Sequence, residues 1–274
     1  MSSGPARASK QDVPILLCER VGPIAVLTLN RPVVRNSLSE AMIAQLHAAL
    51  NEIGEDRDVR ALVIAANGPA FSAGHDLKEL TARRSDADGG RAYFSGIMNA
   101  CSAMMQAIVH LEKPVVAAVQ GLATAAGCQL VASCDLAVAS EAATFATPGV
   151  DIGLFCSTPM VALSRNVPRK QAMEMLLTGE PISAVTARNI GLINRVVPAG
   201  RERDAAIELA QKVALKSAHT VKLGKAAFYR QVEMSLADAY RYAAEVMTEN
   251  MMARDAEEGI CAFIEKREPK WQDR

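Results

Sequence analysis

The sequence is poor in aromatic residues, which make up 4% of its 274 positions and include a single tryptophan. A core without rings has to be packed from aliphatic side chains, and half of the chain is apolar. Ala-rich helices over Val-rich strands are the expected form, because alanine favours helix and β-branched residues favour strand. Neither sign of charge is in excess: 30 basic residues balance 30 acidic ones. Without a basic face there is no electrostatic footprint for duplex nucleic acid or an anionic membrane surface, so neither is an expected partner. A small ligand carrying a few phosphates stays open. Histidine is scarce, at four residues, and the six cysteines at 18, 101, 128, 134, 156 and 261 form no C-x-x-C pair. This fits neither a disulfide scaffold nor a zinc ribbon. No metal or resident cofactor is expected, and the thiols read as reduced and buried.

Residues 1–12, MSSGPARASKQD, are polar and hold no apolar stretch. They read as a flexible terminus rather than a secretory signal, and a cytoplasmic location is expected. The run from Pro114 to Cys134 carries no charge and matches a bilayer in length. Its glycines, glutamines and hydroxyl residues instead suggest a buried strand, a glycine turn and a buried helix, as in a sheet covered on both faces. No membrane span is expected.

Two extended runs, 15–19 and 24–29, flank Gly22-Pro23 and predict a hairpin. After Ser39, a candidate N-cap, Met42, Ile43, Leu46, Leu50 and Ile53 recur at helical spacing, and the apolar run 61–66 follows as a strand. A second helix over about 91–109, with Ile97, Cys101, Met104 and Ile108 inward, precedes strands at 115–119 and 135–140. Strand, helix and strand in this order suggest crossover units, and so an α/β core over residues 13–195. Residues 196–274 read as helical, with helices near 201–215, 220–231, 235–252 and 255–266. Ser235 and Asp238 resemble a capping box. The stripe Leu236, Tyr240, Ala243 and Met247 requires burial against something.

Candidate chemistry lies in two glycine-bearing segments. In FSAGHDL, residues 71–77, Ala73 and Gly74 follow a strand-ending turn, where small residues let a ligand approach backbone N–H groups. Ala126-Gly127 opens an uncharged helix whose first N–H groups lack intrahelical partners. If the fold joins the two segments, two backbone donors can hold one developing oxyanion. His75, with its near-neutral reference pKa, can serve there as acid, base or hydrogen-bond donor.

Four segments, GPAFSAGHDLKEL, KPVVAAVQGLATAAGCQLVASCDLAVAS, FATPGVDIGL and AFIEKREPKW, occur in this order. Together they resemble the enoyl-CoA hydratase/isomerase, or crotonase, superfamily over about residues 15–271. The resemblance implies a crotonase-like spiral of β-β-α units with a helical C-terminal trimerisation region, assembled as a homotrimer or a dimer of trimers. It implies an acyl-CoA thioester as ligand, with coenzyme A entering as part of the substrate. Matched motif by motif, the backbone donors to the thioester oxygen fall on Ala73 and Ala126.

The family's two catalytic glutamates fall on Gln129 and Gly149. Glutamine can bond a water but cannot take its proton, and glycine offers no side chain. Hydration by paired carboxylates is therefore not expected, although restoring both glutamates together is expected to return it if only side-chain identity was lost. Asp151 is a nearby substitute base, turned to another direction if the stretch is extended. For coenzyme A, the resemblance implies the loop around Ala73, His75, Asp76 and Leu77, with Arg31 and Arg35 toward phosphates. Phe263 and Lys266 match an element that reaches a neighbouring subunit's ligand. Lys222 and Lys225 read as surface charge. Three functional readings follow: an enzyme acting on an acyl-CoA through an oxyanion hole, an acyl-CoA binder or regulator without turnover, or a structural or protein-interaction role without coenzyme A.

Overall fold

Gly22 and Pro23 turn the chain between β1 (Leu16–Val21) and β2 (Ile24–Leu29), which pair antiparallel with Val21 opposite Ile24. Gly22 adopts φ +60°, a conformation that glycine takes without steric cost. The computed structural model describes residues 13–274, so the flexible terminus expected over residues 1–12 lies outside the described residues.

Every later strand of the main sheet is reached by a crossover. β2 pairs in parallel with β3 (Ala61–Ala66), which pairs with β5 (Val115–Val119), then β7 (Leu136–Ser140) and β10 (Arg195–Val197). The full order is β1-β2-β3-β5-β7-β10. After β3, β5 and β7 the chain enters a second sheet through the short strands β4 (Ala70–Ser72), β6 (Leu122–Thr124) and β8 (Thr144–Ala146), with β9 (Ile182–Ser183) at its edge. Helices then carry it back. α1 (Glu40–Glu55) leads to β3, α2 (Leu77–Ala82) and α3 (Arg91–His110) lead to β5, and α4 (Ala126–Ser133) leads to β7. α5 (Ser157–Asn166), α6 (Arg169–Thr178) and α7 (Ala184–Asn189) precede β10. Long strand, short strand and helix repeat as a spiral of β-β-α units, the fold class expected from sequence.

The inner strands β2, β3, β5 and β7 read as nearly unbroken apolar runs because both of their faces are covered. Leu27, Leu29, Leu62, Ile64 and Val115 face the larger core beneath α1 and α3. Ile24, Val26, Ala61, Val63, Val116 and Val138 face the other way and meet Ala206, Ile207 and Ala210 of α8 (Glu202–Ala214). α8 is thus a covering layer of the sheet, and the boundary expected at residue 195 falls inside β10, ahead of a helix that belongs to the core. α9 (Ala218–Gln231), α10 (Leu236–Met252) and α11 (Arg254–Glu265) follow. α9 and α10 contain no buried residue, and Leu236, Tyr240 and Met247 are at least 60% exposed on the single chain. Ser235 caps α10 by accepting from the Asp238 N–H.

Two sequence readings change. Lys225 is no surface charge: its ammonium donates to Asp135 at 2.7 Å and to the carbonyls of Ile108 and Lys113. Asp135 also accepts from the Tyr229 hydroxyl and the Val115 N–H, so one carboxylate pins α9 to the end of β5. Spacing places Lys222 and Lys225 on one helix face but does not say what covers it; Lys222 does lie at the surface, paired with Glu112. The thiols also divide, with Cys101, Cys128, Cys134 and Cys156 buried and Cys18 and Cys261 exposed. The uncharged run 114–134 folds as β5, β6 and α4, and among the described residues no helix is long and apolar enough to cross a membrane.

Candidate active site

The first wall of the site is a loop, residues 31–38, ordered by Asn36. This asparagine is fully buried, takes the left-handed conformation at φ +52°, and donates through Nδ2 to the carbonyls of Asn67 and Ala70 at 2.8 Å each. Its Oδ1 accepts from the Arg31 N–H. The loop is thereby tied to β4, and its Arg35 carbonyl accepts the Ala73 N–H at 3.0 Å. Ala73, one of the two donors implied by the motif match, is committed within the fold.

The free donor lies two residues further on. Leu38 and His75 form a short parallel bridge: the Leu38 N–H donates to Gly74 at 2.7 Å, and the Leu38 carbonyl accepts from Asp76 at 3.2 Å. In that pattern the residues flanking His75 supply the bonds, so the His75 N–H points away from Leu38. It has no hydrogen-bond partner among the described residues.

The second wall is the start of α4. Ala125 sits at φ +48°, ψ −117°, strained for a residue with a Cβ, at a cost of about 1–3 kcal/mol. Its N–H donates to the Ala146 carbonyl at 2.9 Å and its carbonyl accepts from Gln129 at 3.0 Å. The buried Ala126 begins the helix, where an N–H has no intrahelical acceptor. The two walls touch through glycines. A Cβ on Gly74 would stand 3.0 Å from the Ala125 Cβ and 3.2 Å from the Ala126 nitrogen, and one on Gly127 would stand 2.2 Å from the Ser72 carbonyl oxygen. The segments singled out by sequence are neighbours, and there the backbone N–H groups of His75 and Ala126, unlike that of Ala73, have no acceptor among the described residues.

Three side chains near this junction hold buried polar atoms with no hydrogen-bond partner among the described residues: His75 Nε2, Gln129 Oε1 and Thr147 Oγ1. Burial lowers the His75 pKa, favouring neutral imidazole. It raises the thiols of Cys128, to about 12, and of Cys156, so neither is a thiolate near neutral pH. Gln129 lies one helical turn beyond Ala125, and Thr147 follows the residue that accepts from Ala125. Ala125, Thr147 and Asn36 were not legible as site residues, since small or polar residues in loops carry no chemical signature until their partners are known.

Other expected participants lie elsewhere or serve the framework. Asp151 is exposed, its carboxylate oxygens 3.2 Å from where a Cβ on Gly179 would be, at the end of α6. The 3-10 helical turn Pro148–Ile152 thus presents it to solvent rather than as the missing base. Gly149 is buried, and a Cβ there would meet the Leu154 carbonyl oxygen at 2.8 Å and Cys156 Sγ at 2.9 Å. Glutamate at that position has no room without a backbone shift, so the condition attached to rescue, loss of side-chain identity alone, is not met there. Asp76 caps α2, accepting from the Lys78 N–H and the Ser37 hydroxyl. Arg31 is held on Asp76 at 3.4 Å and on the Ser37 carbonyl, a brace rather than a free phosphate ligand. Arg35, in this loop, and Leu77 are exposed. Phe263, 85% exposed, and Lys266 lie at the end of α11, which packs on α9 and α10. Among the described residues no group of three or more His, Cys, Asp or Glu side chains is placed to hold a metal.

The model of the enoyl-CoA hydratase/isomerase family matches residues 19–274. The chain is 51% identical over 245 residues to the Rattus norvegicus protein named enoyl-CoA hydratase domain-containing protein 3, mitochondrial, covering 89% of this chain and 80% of that one. The crystal structure of the human protein of the same name superposes with a TM-score of 0.89 at 47% identity, over 94% of this chain and 100% of that one. A crystal structure of enoyl-CoA hydratase from Mycobacterium smegmatis gives a TM-score of 0.89 at 50% identity, over 94% and 99%.

Proposed function

The chain belongs to the enoyl-CoA hydratase/isomerase family, and from that premise we propose that it binds an acyl-CoA thioester and stabilises an oxyanion on the thioester oxygen. The donors are the backbone N–H groups of His75 and Ala126. The observation that carries this reading is the apposition of Gly74 and Ala126, which sets the two segments within van der Waals reach. Preorganised donors aimed at a developing charge lower the barrier to an enolate at the α carbon. The neutral His75 imidazole is the acid/base group of the catalytic form, since neither Gln129 nor Gly149 provides a carboxylate and Asp151 faces solvent.

A second reading, binding without turnover, is favoured by that same loss of carboxylates. A panel of acyl-CoA thioesters of varied length and oxidation state separates the two. Turnover abolished by His75→Gln supports the enzyme. A raised unfolding midpoint without product supports the binder, because a ligand that binds only the folded state stabilises it. A folded protein that neither turns over nor is stabilised sinks both.

The proposal extends to assembly. The exposed apolar stripe Leu236, Tyr240 and Met247 is assigned to contact between copies, in a trimer or dimer of trimers. Phe263 and Lys266 then reach a neighbouring copy's coenzyme A. Light scattering and sedimentation over a range of concentrations test this, and a stable monomer contradicts it. A cytoplasmic location remains part of the proposal; because the animal relatives are named mitochondrial, cell fractionation is the deciding measurement.

A further inference from the structure

Asn67 is the one asparagine in the sequence that is followed by glycine. It lies just past β3, and both Asn67 and Gly68 are exposed. The Gly68 N–H has no hydrogen-bond partner among the described residues, and glycine has no Cβ to shield that nitrogen. One hydrogen bond holds the Asn67 amide, from Nδ2 to Asn30 Oδ1 at 3.0 Å. Asn36, followed by the small residue Ser37, is the contrasting case. It is fully buried, its Nδ2 serves two carbonyls, and the Ser37 N–H is bound to the Val34 carbonyl.

We propose that Asn67-Gly68 is a site of spontaneous deamidation, and that the isoaspartate formed there loosens the loop of residues 31–38. Hydroxide takes the Gly68 amide proton, and the freed nitrogen attacks Asn67 Cγ. The new C–N bond closes a five-membered imide, the Cγ–Nδ2 bond breaks, and ammonia leaves with a proton from water, which returns the hydroxide. Water then opens the imide, its hydroxyl going to a carbonyl carbon and its hydrogen to the Gly68 nitrogen. Opening on the Cγ side gives aspartate. Opening on the α-carbonyl side gives isoaspartate, whose main chain runs through Cβ and Cγ and is longer by one carbon–carbon bond, about 1.5 Å.

Asn36 Nδ2 spans the altered linkage, donating to the Asn67 carbonyl before it and to the Ala70 carbonyl beyond it, each at 2.8 Å. The extra carbon pushes these two acceptors apart. Gly68 has no slack to absorb it: a Cβ there would stand 2.5 Å from Pro32 Cβ, and Gln120 Nε2 holds both the Gly68 and Ala70 carbonyls. The displacement therefore falls on Asn36 and on the loop that it orders, which accepts the Ala73 N–H and bridges to His75. This concerns the loop itself and holds whether or not an acyl-CoA binds beside it.

The full chain is aged in mildly alkaline buffer below its unfolding temperature and mapped by mass spectrometry, with isoaspartate counted by enzymatic carboxyl methylation. The Asn67 peptide is expected to convert first, faster as pH rises, with an equivalent of ammonia released. The aged wild type is expected to unfold a few degrees lower and to exchange the backbone amides of residues 31–38 about tenfold faster. Asn67→Gln, whose longer side chain disfavours the imide ring, is expected to keep both properties on ageing. Intact Asn67 while another asparagine converts, or isoaspartate at 67 with unchanged exchange in the loop, overturns the inference. Equal losses on ageing in folded Asn67→Gln overturn it as well, and each of these results leaves the acyl-CoA reading intact.

Discussion

Gly74 and Ala126 approach so closely that a Cβ on the glycine would lie 3.2 Å from the backbone nitrogen of the alanine. Gly74 also holds φ +82°, in the left-handed region that disfavours any residue with a Cβ. Gly74→Ala is therefore expected to destabilise the fold by about 1–3 kcal/mol. It is also expected to weaken acyl-CoA binding by more than tenfold, because the alanine methyl pushes the two donor segments apart. Calorimetric titration alongside thermal unfolding checks this; a variant with unchanged affinity places the thioester away from this junction.

Ala125 offers the opposite test. At φ +48°, ψ −117° its Cβ is strained, so glycine relieves about 1–3 kcal/mol. The more flexible unfolded chain of the glycine variant takes back about 0.4–1 kcal/mol. Ala125→Gly is expected to raise stability by about 1 kcal/mol in urea unfolding. A destabilised variant would mean that the packing lost with the Ala125 methyl outweighs the strain.

The His75 side chain gives the protein a pH dependence with a defined sign. Burial holds its pKa below the ordinary 6.5, so the unfolded chain takes up this proton before the folded one does. Stability is then lost as pH falls below about 6.5, until the folded form also becomes protonated, and is constant above. Denaturant unfolding across this range is expected to show a slope that His75→Gln flattens. A slope unaffected by the substitution would assign the dependence to other groups.

At the far end of α4, Lys225 and Asp135 form a largely buried ion pair, the lysine side chain 8% exposed. Removing one partner of such a pair strands the other, at about 3–5 kcal/mol. Lys225→Met is expected to cost about 3 kcal/mol in thermal or chemical unfolding. Replacing Asp135 as well is not expected to restore stability, because the Val115 N–H and the Tyr229 hydroxyl lose their acceptor. A double variant as stable as the wild type would remove this network from the account of how α9 is held.

Legibility in the sequence followed burial and length. β3 and β5 are readable because apolar residues lie on both faces, and α1 is readable because Ser39 and the Met42 to Ile53 stripe mark its start and inner side. The second sheet is not readable, since β4, β6 and β8 are three residues each, too short for any period to register. α5 is equally hidden, its start at Ser157 following an apolar loop with no cap bond. Within the site, the two glycine segments are evident in the sequence, but which backbone N–H is left without an acceptor is not. Whether Ala73 or His75 offers its N–H depends on the bridge to Leu38 and the bond to Arg35, both made far upstream in the chain.

The missing carboxylates give the sharpest test of how deeply the site differs from a paired-glutamate hydratase. Gln129→Glu introduces a carboxylate at a side chain that is 5% exposed, where burial opposes its charged form. Gly149→Glu meets a harder obstacle, because the first added atom stands 2.8 Å from the Leu154 carbonyl oxygen and 2.9 Å from Cys156 Sγ. The sulfur belongs to a side chain that can rotate, but the carbonyl belongs to the backbone of the loop before α5 and moves only with that loop. The double variant is therefore expected to unfold at lower temperature than either parent residue set allows, by several degrees, and to show no hydration of crotonyl-CoA. Adding Cys156→Ala removes the sulfur contact and is expected to recover part of the lost stability but not activity, since the Leu154 contact remains. Hydration by the folded double variant, measured as loss of the enoyl absorbance, would show that the loop does yield and that side-chain identity alone separates this chain from a hydratase.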